Sequence, residues 1–289
     1  MVIAPGAYDA ITARAIAQAG FGALYMTGAG TAAALGYPDF GLVTMSEMVA
    51  NAARIAQSVE IPLIADADTG YGNELNVFRT VREHERAGTA GIHIEDQVSP
   101  KRCGHLDDKE IVSREDFAAK IRAAVAARQD PDFLLIARTD SRAVAGFEEA
   151  VARCKLALEC GADMVFLEAP QTPAEIADVP RLVQGPCMLN VVFGGKTPQV
   201  NLQEVAAMGY RLAIVPGLLT KTVIGACDAV LAELKRTHVH PVPPGAPTVR
   251  EFFDRFGARE WDALRTRFRG DRSDDSNTTG TTNTTAQQS

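Results

Sequence analysis

Pro62-Leu-Ile-Ala-Asp-Ala-Asp-Thr-Gly-Tyr-Gly72 is the stretch whose reading decides the fold. It opens as a short apolar run of strand length, ends in two carboxylates, Asp66 and Asp68, and passes through glycines into an amphipathic segment at 75–86. A run bounded by turn residues and followed by a helical rhythm is one β-then-α unit.

Working outward, the same unit recurs. Apolar runs lie at 1–5, 23–28, 62–68, 91–96, 133–140, 164–169, 187–193 and 212–217. Helical patterns follow at 10–18, 45–56, 75–86, 114–127, 147–159, 173–182, 202–208 and 218–235. Alternation of this kind implies parallel strands joined by right-handed crossovers, and eight units predict an α/β chain folded as a (β/α)8 TIM barrel. The alternative is a doubly wound open sheet, but Gly28-Ala-Gly30 lacks the third glycine and the downstream acid of a dinucleotide fingerprint.

The polar residues strengthen the barrel reading. In such a barrel, chemistry gathers at the carboxyl ends of the strands, and here the runs end in Thr27, Asp66, Asp68, Glu95, Asp96, Arg138, Asp140, Glu168 and Asn190. Helix capping accounts for one or two of these positions, such as Asp140, as it does for Thr44. It does not account for carboxylates at several consecutive strand ends, because an unpaired buried charge costs several kcal/mol.

The chain has 289 residues, 46% of them hydrophobic, enough for a large core. A net charge of -7 and the lack of a basic stripe argue against a nucleic-acid partner. No apolar run approaches the ~20 residues of a membrane span. Five cysteines and no signal peptide point to a reducing, cytoplasmic setting. The barrel is expected over 1–236, and a proline-rich linker with a helical extension over 237–270. A polar, disordered tail is expected over 271–289. The extension carries Phe252, Phe253, Phe256, Trp261, Leu264 and Phe268, an apolar face that needs a cover such as a second subunit.

Asp66 and Asp68 are two apart, so a strand would put both on one face. With Glu95 ending the next strand, they suit Mg2+ that keeps several waters, and Mn2+ would also fit. Such an ion chelates a carboxylate with an adjacent oxo or hydroxy oxygen and stabilises a developing enolate. Arg138 offers a fork for a carboxylate, or else pairs with a rim acid. Thr27-Gly28-Ala29 and Asn190 supply further polar contacts. In Lys101-Arg-Cys-Gly-His105 the Cys103 thiol stands among cations, which predicts a lowered pKa and a role in proton transfer. His93 shares its strand with Glu95 and is as well placed to orient that carboxylate as to act directly.

In order along the chain, several motifs resemble the isocitrate lyase and phosphoenolpyruvate mutase superfamily. They are Pro5-Gly-Ala-Tyr-Asp9, Tyr25-Met-Thr-Gly-Ala-Gly30, Leu35-Gly-Tyr-Pro-Asp39 and Asp66-Ala-Asp-Thr-Gly-Tyr-Gly72 in the first part of the chain. His93-Ile-Glu-Asp-Gln97, Lys101-Arg-Cys-Gly-His105, Ala137-Arg-Thr-Asp140 and Gly194-Gly-Lys-Thr-Pro198 follow. The resemblance implies a helix-swapped barrel, a homotetramer packed through its C-terminal helix, and a requirement for Mg2+. It implies that Asp66 and Asp68 hold the metal, largely through water, with Asp39 and Glu95 in support. Cys103 becomes the catalytic acid or base, with Lys101 and His105 beside it on a gating loop and Arg138 and Glu95 completing the machinery. Tyr25, Thr27, Gly28, Ala29, Gly104, Arg138, Glu168 and Asn190 would touch substrate.

The thiol loop resembles the carbon-carbon lyase branch, including 2-methylisocitrate lyase, dimethylmalate lyase and oxaloacetate hydrolase. Carboxyphosphonoenolpyruvate mutases share the loop, so phosphonomutase chemistry is an alternative. Many relatives have glutamate before the paired glycines, where this chain has Phe193, and 2-methylisocitrate lyase has arginine where this chain has Lys221. Both departures weigh against a tricarboxylate and so against a 2-methylisocitrate or isocitrate lyase. The expected activity is Mg2+-dependent cleavage of a carbon-carbon bond in a small 2-oxo or 2-hydroxy dicarboxylate, of oxaloacetate or substituted malate type, through a metal-stabilised enolate. A non-catalytic barrel is the remaining alternative. The first strand begins almost at residue 1, so either the start is truncated or another element closes the barrel floor.

Overall fold

Strands that bury both faces can satisfy their backbone only by pairing on both edges, and closing the sheet on itself achieves this for all of them. The computed structural model describes residues 1–269. Its first unit, Met1–His238, alternates strands and helices. The first half runs β1 (Val2–Ala7), α1 (Ala10–Gln18), β2 (Leu24–Met26), α2 (Gly28–Ala34), α3 (Met45–Ala56), β3 (Leu63–Asp66), α4 (Glu74–Arg86) and β4 (Gly91–Glu95). The second half runs α5 (Arg114–Ala127), β5 (Leu134–Thr139), α6 (Ser141–Ala145), α7 (Phe147–Glu159), β6 (Met164–Leu167), α8 (Pro173–Val183), β7 (Cys187–Asn190), α9 (Leu202–Ala207), β8 (Leu212–Val215) and α10 (Leu218–Thr237).

All neighbouring strands are parallel and in sequential order, and β8 returns to β1 in register from Val2↔Leu212 to Pro5↔Val215. The sheet is therefore a closed (β/α)8 barrel, and the open-sheet alternative is excluded. Seven of the eight predicted runs overhang the observed strand at the carboxyl end. There the backbone leaves the ladder to build the rim, with Asp68 at φ 46° and Ala169 at φ 54°. The short helices α2 and α6 had no counterpart in the periodicity. Thr44 caps α3 with Glu47 in a capping box. Asp140 makes no capping bond to α6, and its role lies elsewhere.

Side-chain alternation sorts the core. Tyr25, Ile64, Ile136, Phe166, Met188 and Ile214 fill the barrel interior. Outward neighbours such as Leu24, Leu63, Ile92 and Ile94 pack under Met48, Ile55, Val77 and Val81 of the helices. Ala137, Val165, Leu167 and Leu189 do the same beneath Phe117, Ile121 and Ile176. Each such Leu, Ile, Val, Phe or Met side chain, fully buried, contributes roughly 1.5–3 kcal/mol. In contrast, α10 buries none of its 20 residues and exposes Val223, Ile224, Leu231 and Leu234.

The second unit begins at Val239. The helical extension expected within 237–270 is two helices, α11 (Val249–Asp254) and α12 (Ala258–Arg269). Gly257, at φ 82°, breaks the helix in a conformation that costs glycine little. Phe253, Trp261 and Phe268 are exposed. The predicted disordered tail, 271–289, lies outside the described residues.

Candidate active site

The period of two that fills the barrel also aims alternate residues of each strand at its carboxyl mouth. Parallel register sets Asp66 beside His93 and Glu95 beside Arg138. Above them is a cavity of about 330 Å³, of a size for a small organic acid. Of the residues predicted from sequence, Tyr25, Thr27, Ala29, Asp39, Asp66, Cys103, Gly104, His105, Arg138, Glu168 and Asn190 line it. Gly28, Asp68, Glu95 and Lys101 do not form its wall but touch residues that do or one another.

The acidic end is built around Asp66. Tyr25 Oη lies 3.2 Å from Asp66 Oδ2 and 2.8 Å from His93 Nε2, and the Gly28 backbone N–H donates to the same Oδ2 at 3.2 Å. His93 therefore serves Asp66 and Tyr25 rather than orienting Glu95. Asp68 reaches the cluster by a route the strand rule missed. The strand ends at Asp66, and a left-handed turn at Asp68 brings its backbone N–H 3.0 Å from Asp66 Oδ1. Lys101 Nζ bridges Asp39 Oδ1 at 2.5 Å and Asp68 Oδ1 at 2.9 Å.

The two aspartates titrate apart. Burial works against the charge of Asp66, but His93, Lys101 and Arg138 hold its carboxyl below the ordinary range. Burial pushes Asp68 up to about 6 against the pull of Lys101, with Asp66 adding to the rise. Burial also lifts Glu95 well above its usual value, Arg138 opposing.

These groups fit a hard divalent cation. Asp68 Oδ1 and both Glu95 carboxylate oxygens are buried without an aligned hydrogen bond, although cationic nitrogens stand 2.9 and 3.0 Å away. Among the described residues no three His, Cys, Asp or Glu side chains converge as a complete ligand set.

Opposite, Arg138 lines the cavity while also pairing with rim acids: Nη1 is 3.0 Å from Glu95 Oε2, Nε is 2.9 Å from Asp140 Oδ2, and Nε is 3.8 Å from Glu168 Oε2. Its guanidinium also lies 5.1 Å from the centre of the Phe166 ring. Against the cost of burial, Arg138 and then His105 bring the Glu168 carboxyl down to about 2.

Residues 99–109 form a loop over this mouth, closed at its neck by the Gln97↔Ile111 bridge and by Val98 N–H donating to Glu110 O at 2.9 Å. The Gln97 side chain pins the start by bonding Arg102 N and O. His105 docks the tip: Nε2 lies 3.0 Å from Glu168 Oε1, and Nδ1 accepts from Lys196 N–H at 3.0 Å. A Cβ on Gly104 would fall 2.5 Å from both Arg138 Nη2 and Glu168 Cγ, so only glycine fits there. The expected lowering of the Cys103 pKa is not met. Burial raises it, ahead of the opposing His105 backbone N–H. A thiol kept protonated is suited to donate a proton.

Thr27, expected to touch substrate, lines the cavity and also caps α2, accepting from Gly30 N–H. Sequence reasoning missed further contributors. Two buried lysines reach the site from outside the motifs. Lys109 Nζ bonds Gly104 O and Asp140 Oδ1, and Lys120 Nζ from α5 holds Thr69 O at 3.0 Å. The outer wall is Val192, Phe193, Pro216, Thr220 and Lys221. Lys221 Nζ donates to Phe193 O and lies 5.6 Å from the centre of that ring.

Comparison with known proteins agrees with this arrangement. A family model described as phosphoenolpyruvate phosphomutase matches residues 1–235. A 2,3-dimethylmalate lyase of Eubacterium barkeri is 50% identical over 217 residues, 75% of this chain and 75% of that protein. A 2-methylisocitrate lyase of Aeropyrum pernix is 42% identical over 263 residues, 91% of this chain and 85% of its own length. Among solved structures, oxaloacetate acetylhydrolase in complex with 3,3-difluorooxalacetate superposes with a TM-score of 0.89 at 38% identity, covering 94% of this chain and 93% of that one. Phosphonopyruvate hydrolase in complex with oxalate and Mg++ does so with a TM-score of 0.85 at 33% identity, covering 93% and 95%.

Proposed function

This chain belongs to the phosphoenolpyruvate phosphomutase family, and we propose that within it the protein is a Mg2+-dependent carbon-carbon lyase or hydrolase acting on a small 2-oxo or 2-hydroxy dicarboxylate. The observation that carries this is the convergence of Asp66, Arg138 and Cys103 on one small cavity, with the buried carboxylates of Asp68 and Glu95 beside it. The relatives named for dimethylmalate and oxaloacetate chemistry support it, and the Mg++ complex of phosphonopyruvate hydrolase supports the metal.

In this reading Asp66 and Asp68 hold Mg2+, or Mn2+, largely through water, with Asp39 and Glu95 in support. The bound ion supplies Lewis-acid stabilisation of charge that develops on substrate oxygens. Arg138 and Asn190, with Tyr25, Thr27, Gly28, Ala29, Gly104 and Glu168, orient the substrate. In a 2-hydroxy dicarboxylate the hydroxyl proton passes to a carboxylate at the acidic end of the cavity, and its O–H electron pair becomes the C=O bond of the 2-oxo acid. The pair of the broken carbon-carbon bond goes to the carbon beside the other carboxylate, where Cys103 Sγ delivers its proton and is left as a thiolate. A 2-oxo substrate first adds water to its carbonyl carbon to supply that hydroxyl. Lys101 and His105 hold the loop that carries the thiol. By covering the mouth, the loop keeps bulk water from protonating that carbon.

The outer wall favours a dicarboxylate. A third carboxylate needs a free fork of donors, whereas the Lys221 ammonium is already engaged by Phe193 and its neighbours Val192 and Pro216 are apolar. An alkyl substituent suits that surface better than a charge.

Exposed apolar residues on α10, and separately on α12, support assembly into a homotetramer with an exchanged C-terminal helix. All five thiols are free, which supports a reducing, cytoplasmic compartment. No helix among the described residues is long and apolar enough to cross a membrane.

The test is proton NMR of the purified enzyme with Mg2+ and oxaloacetate, 2,3-dimethylmalate, other substituted malates, isocitrate and 2-methylisocitrate. Cleavage confined to dicarboxylates is expected. Preferred cleavage of 2-methylisocitrate would overturn the substrate class, and binding without turnover across the panel would mark a non-catalytic barrel. Rearrangement of a phosphonate, read by phosphorus NMR, would favour the mutase.

A further inference from the structure

We propose that Lys109 is a positioning residue for this reaction: its ammonium ties the carbonyl of Gly104 to Asp140 and so fixes Cys103 and His105 over the cavity. The proposal rests on the reading of Cys103 as the proton donor.

The loop is exposed through Leu106, Asp107 and Asp108. The next side chain, Lys109, turns inward until only 1% of it is accessible. A lysine gives up its hydration only for strong partners, and Nζ has two: Gly104 O and, at 3.1 Å, Asp140 Oδ1. The first belongs to the residue between Cys103 and His105.

The second is a hub. Asp140 Oδ1 and Oδ2 also accept from Arg138 Nη2 at 3.2 Å and Nε at 2.9 Å. Its backbone N–H donates to Asp96 Oδ1 at 2.8 Å, and Asp96 is held in turn by Arg153 and Thr139. One carboxylate at the end of β5 therefore fixes both the fork of the substrate clamp and the carbonyl of the thiol loop.

Lys109 differs in kind from Lys101, which enters the acidic cluster itself. It does not itself line the cavity or touch the metal carboxylates, and it meets the cavity wall only from behind, at the carbonyl of Gly104. Its effect has to pass through the placement of Gly104. Without it, His105 and the Gln97 contacts still attach the loop, so the tip should open without the barrel unfolding.

The experiment measures alkylation of Cys103 by iodoacetamide, mapped by peptide mass spectrometry, on the full chain with and without oxalate and MgCl2. Losing a buried bond to a charged group is expected to speed Cys103 labelling in Lys109→Met about ten- to hundredfold and to lower kcat by a similar factor. KM should move less than about threefold, since Lys109 makes no substrate contact. Lys109→Arg, which keeps a cation between the same oxygens, should restore slow labelling. Asp108→Asn, on the exposed tip, should leave it unchanged.

If Lys109→Met proves insoluble, Lys109→Gln takes its place, with a melting curve to confirm folding. Parent-like labelling in a folded Met or Gln variant overturns the proposal. Labelling reads how much accessible thiolate Cys103 presents and not turnover, and loss of the Lys109 charge would by itself lower the thiolate fraction, so faster labelling means an opened loop. The readout stays decisive even if Cys103→Ser retains full activity and the proton-donor reading itself fails.

Discussion

His105 Nε2 lies 3.0 Å from Glu168 Oε1 while its Nδ1 accepts the Lys196 backbone N–H. An imidazole that accepts at one nitrogen donates at the other when neutral, so a single tautomer joins the thiol loop to the end of β6 and to the 194–196 turn. His105→Ala removes that joint, and kcat/KM should fall by about a hundredfold, the scale of a misplaced catalytic group. Steady-state kinetics with the best dicarboxylate reads this, and a parent-like value would show that the loop docks without the histidine.

Cys103→Ser keeps the shape of the thiol but supplies a poorer acid. Removal of a positioned proton donor costs on the order of 10² to 10⁴ in rate, and the loss should fall on kcat. Titration with oxalate and Mg2+ should still show binding. A variant that turns over normally would remove Cys103 from the chemistry.

Arg138 is shared among Glu95, Asp140 and Glu168. Arg138→Met would leave those buried carboxylates without their common cation. Breaking a buried pair by removing one partner costs about 3–5 kcal/mol, which urea unfolding would register as a lower midpoint. Arg138→Lys should recover part of the stability but not the activity, since a point charge cannot replace the fork.

His84, on α4, is fully buried, and neither ring nitrogen has a partner. Burial lowers its pKa from 6.5 to about 4, with Asp66 opposing. Because the native pKa lies below the unfolded one, the neutral ring is favoured on folding. Its contribution is intact above about pH 6.5 and is lost as pH falls toward about 4, a total of roughly 3 kcal/mol. His93 is lowered to about 4 as well, also chiefly by burial, and adds to the same slope. In His84→Leu the loss of stability between about pH 7 and about pH 4.5 should shrink by roughly 2–3 kcal/mol. An unchanged acid slope in urea titrations would mean that His84 stays neutral or is solvated.

The barrel was legible because each strand announces itself locally, as an apolar run closed by polar residues and followed by a helical rhythm. Most of the cavity wall was legible for the same reason, from Tyr25 to Asn190 along the strand ends. What escaped depends on distance and on burial. Lys109 meets Asp140 across 31 positions, and Lys120 meets Thr69 across 51; no local pattern marks either lysine. The strand-face expectation for Asp68 fails, since the strand ends at Asp66 and a left-handed turn, not strand alternation, brings the Asp68 backbone N–H to the Asp66 carboxylate. The Cys103 pKa was misjudged because counting neighbouring cations ignores the cost of burial, which dominates there. Lys101 is two positions away in sequence, but its charge is paired with Asp39 and Asp68.

We propose that bond cleavage needs a divalent ion held at Asp66 and Asp68. The most direct measurement is a proton NMR time course on one preparation of enzyme, first stripped of divalent ions and then reloaded with Mg2+, using the dicarboxylate the panel selects. Silence before reloading and stoichiometric formation of two smaller acids after it is the expected result. Equal turnover by the stripped enzyme would contradict it.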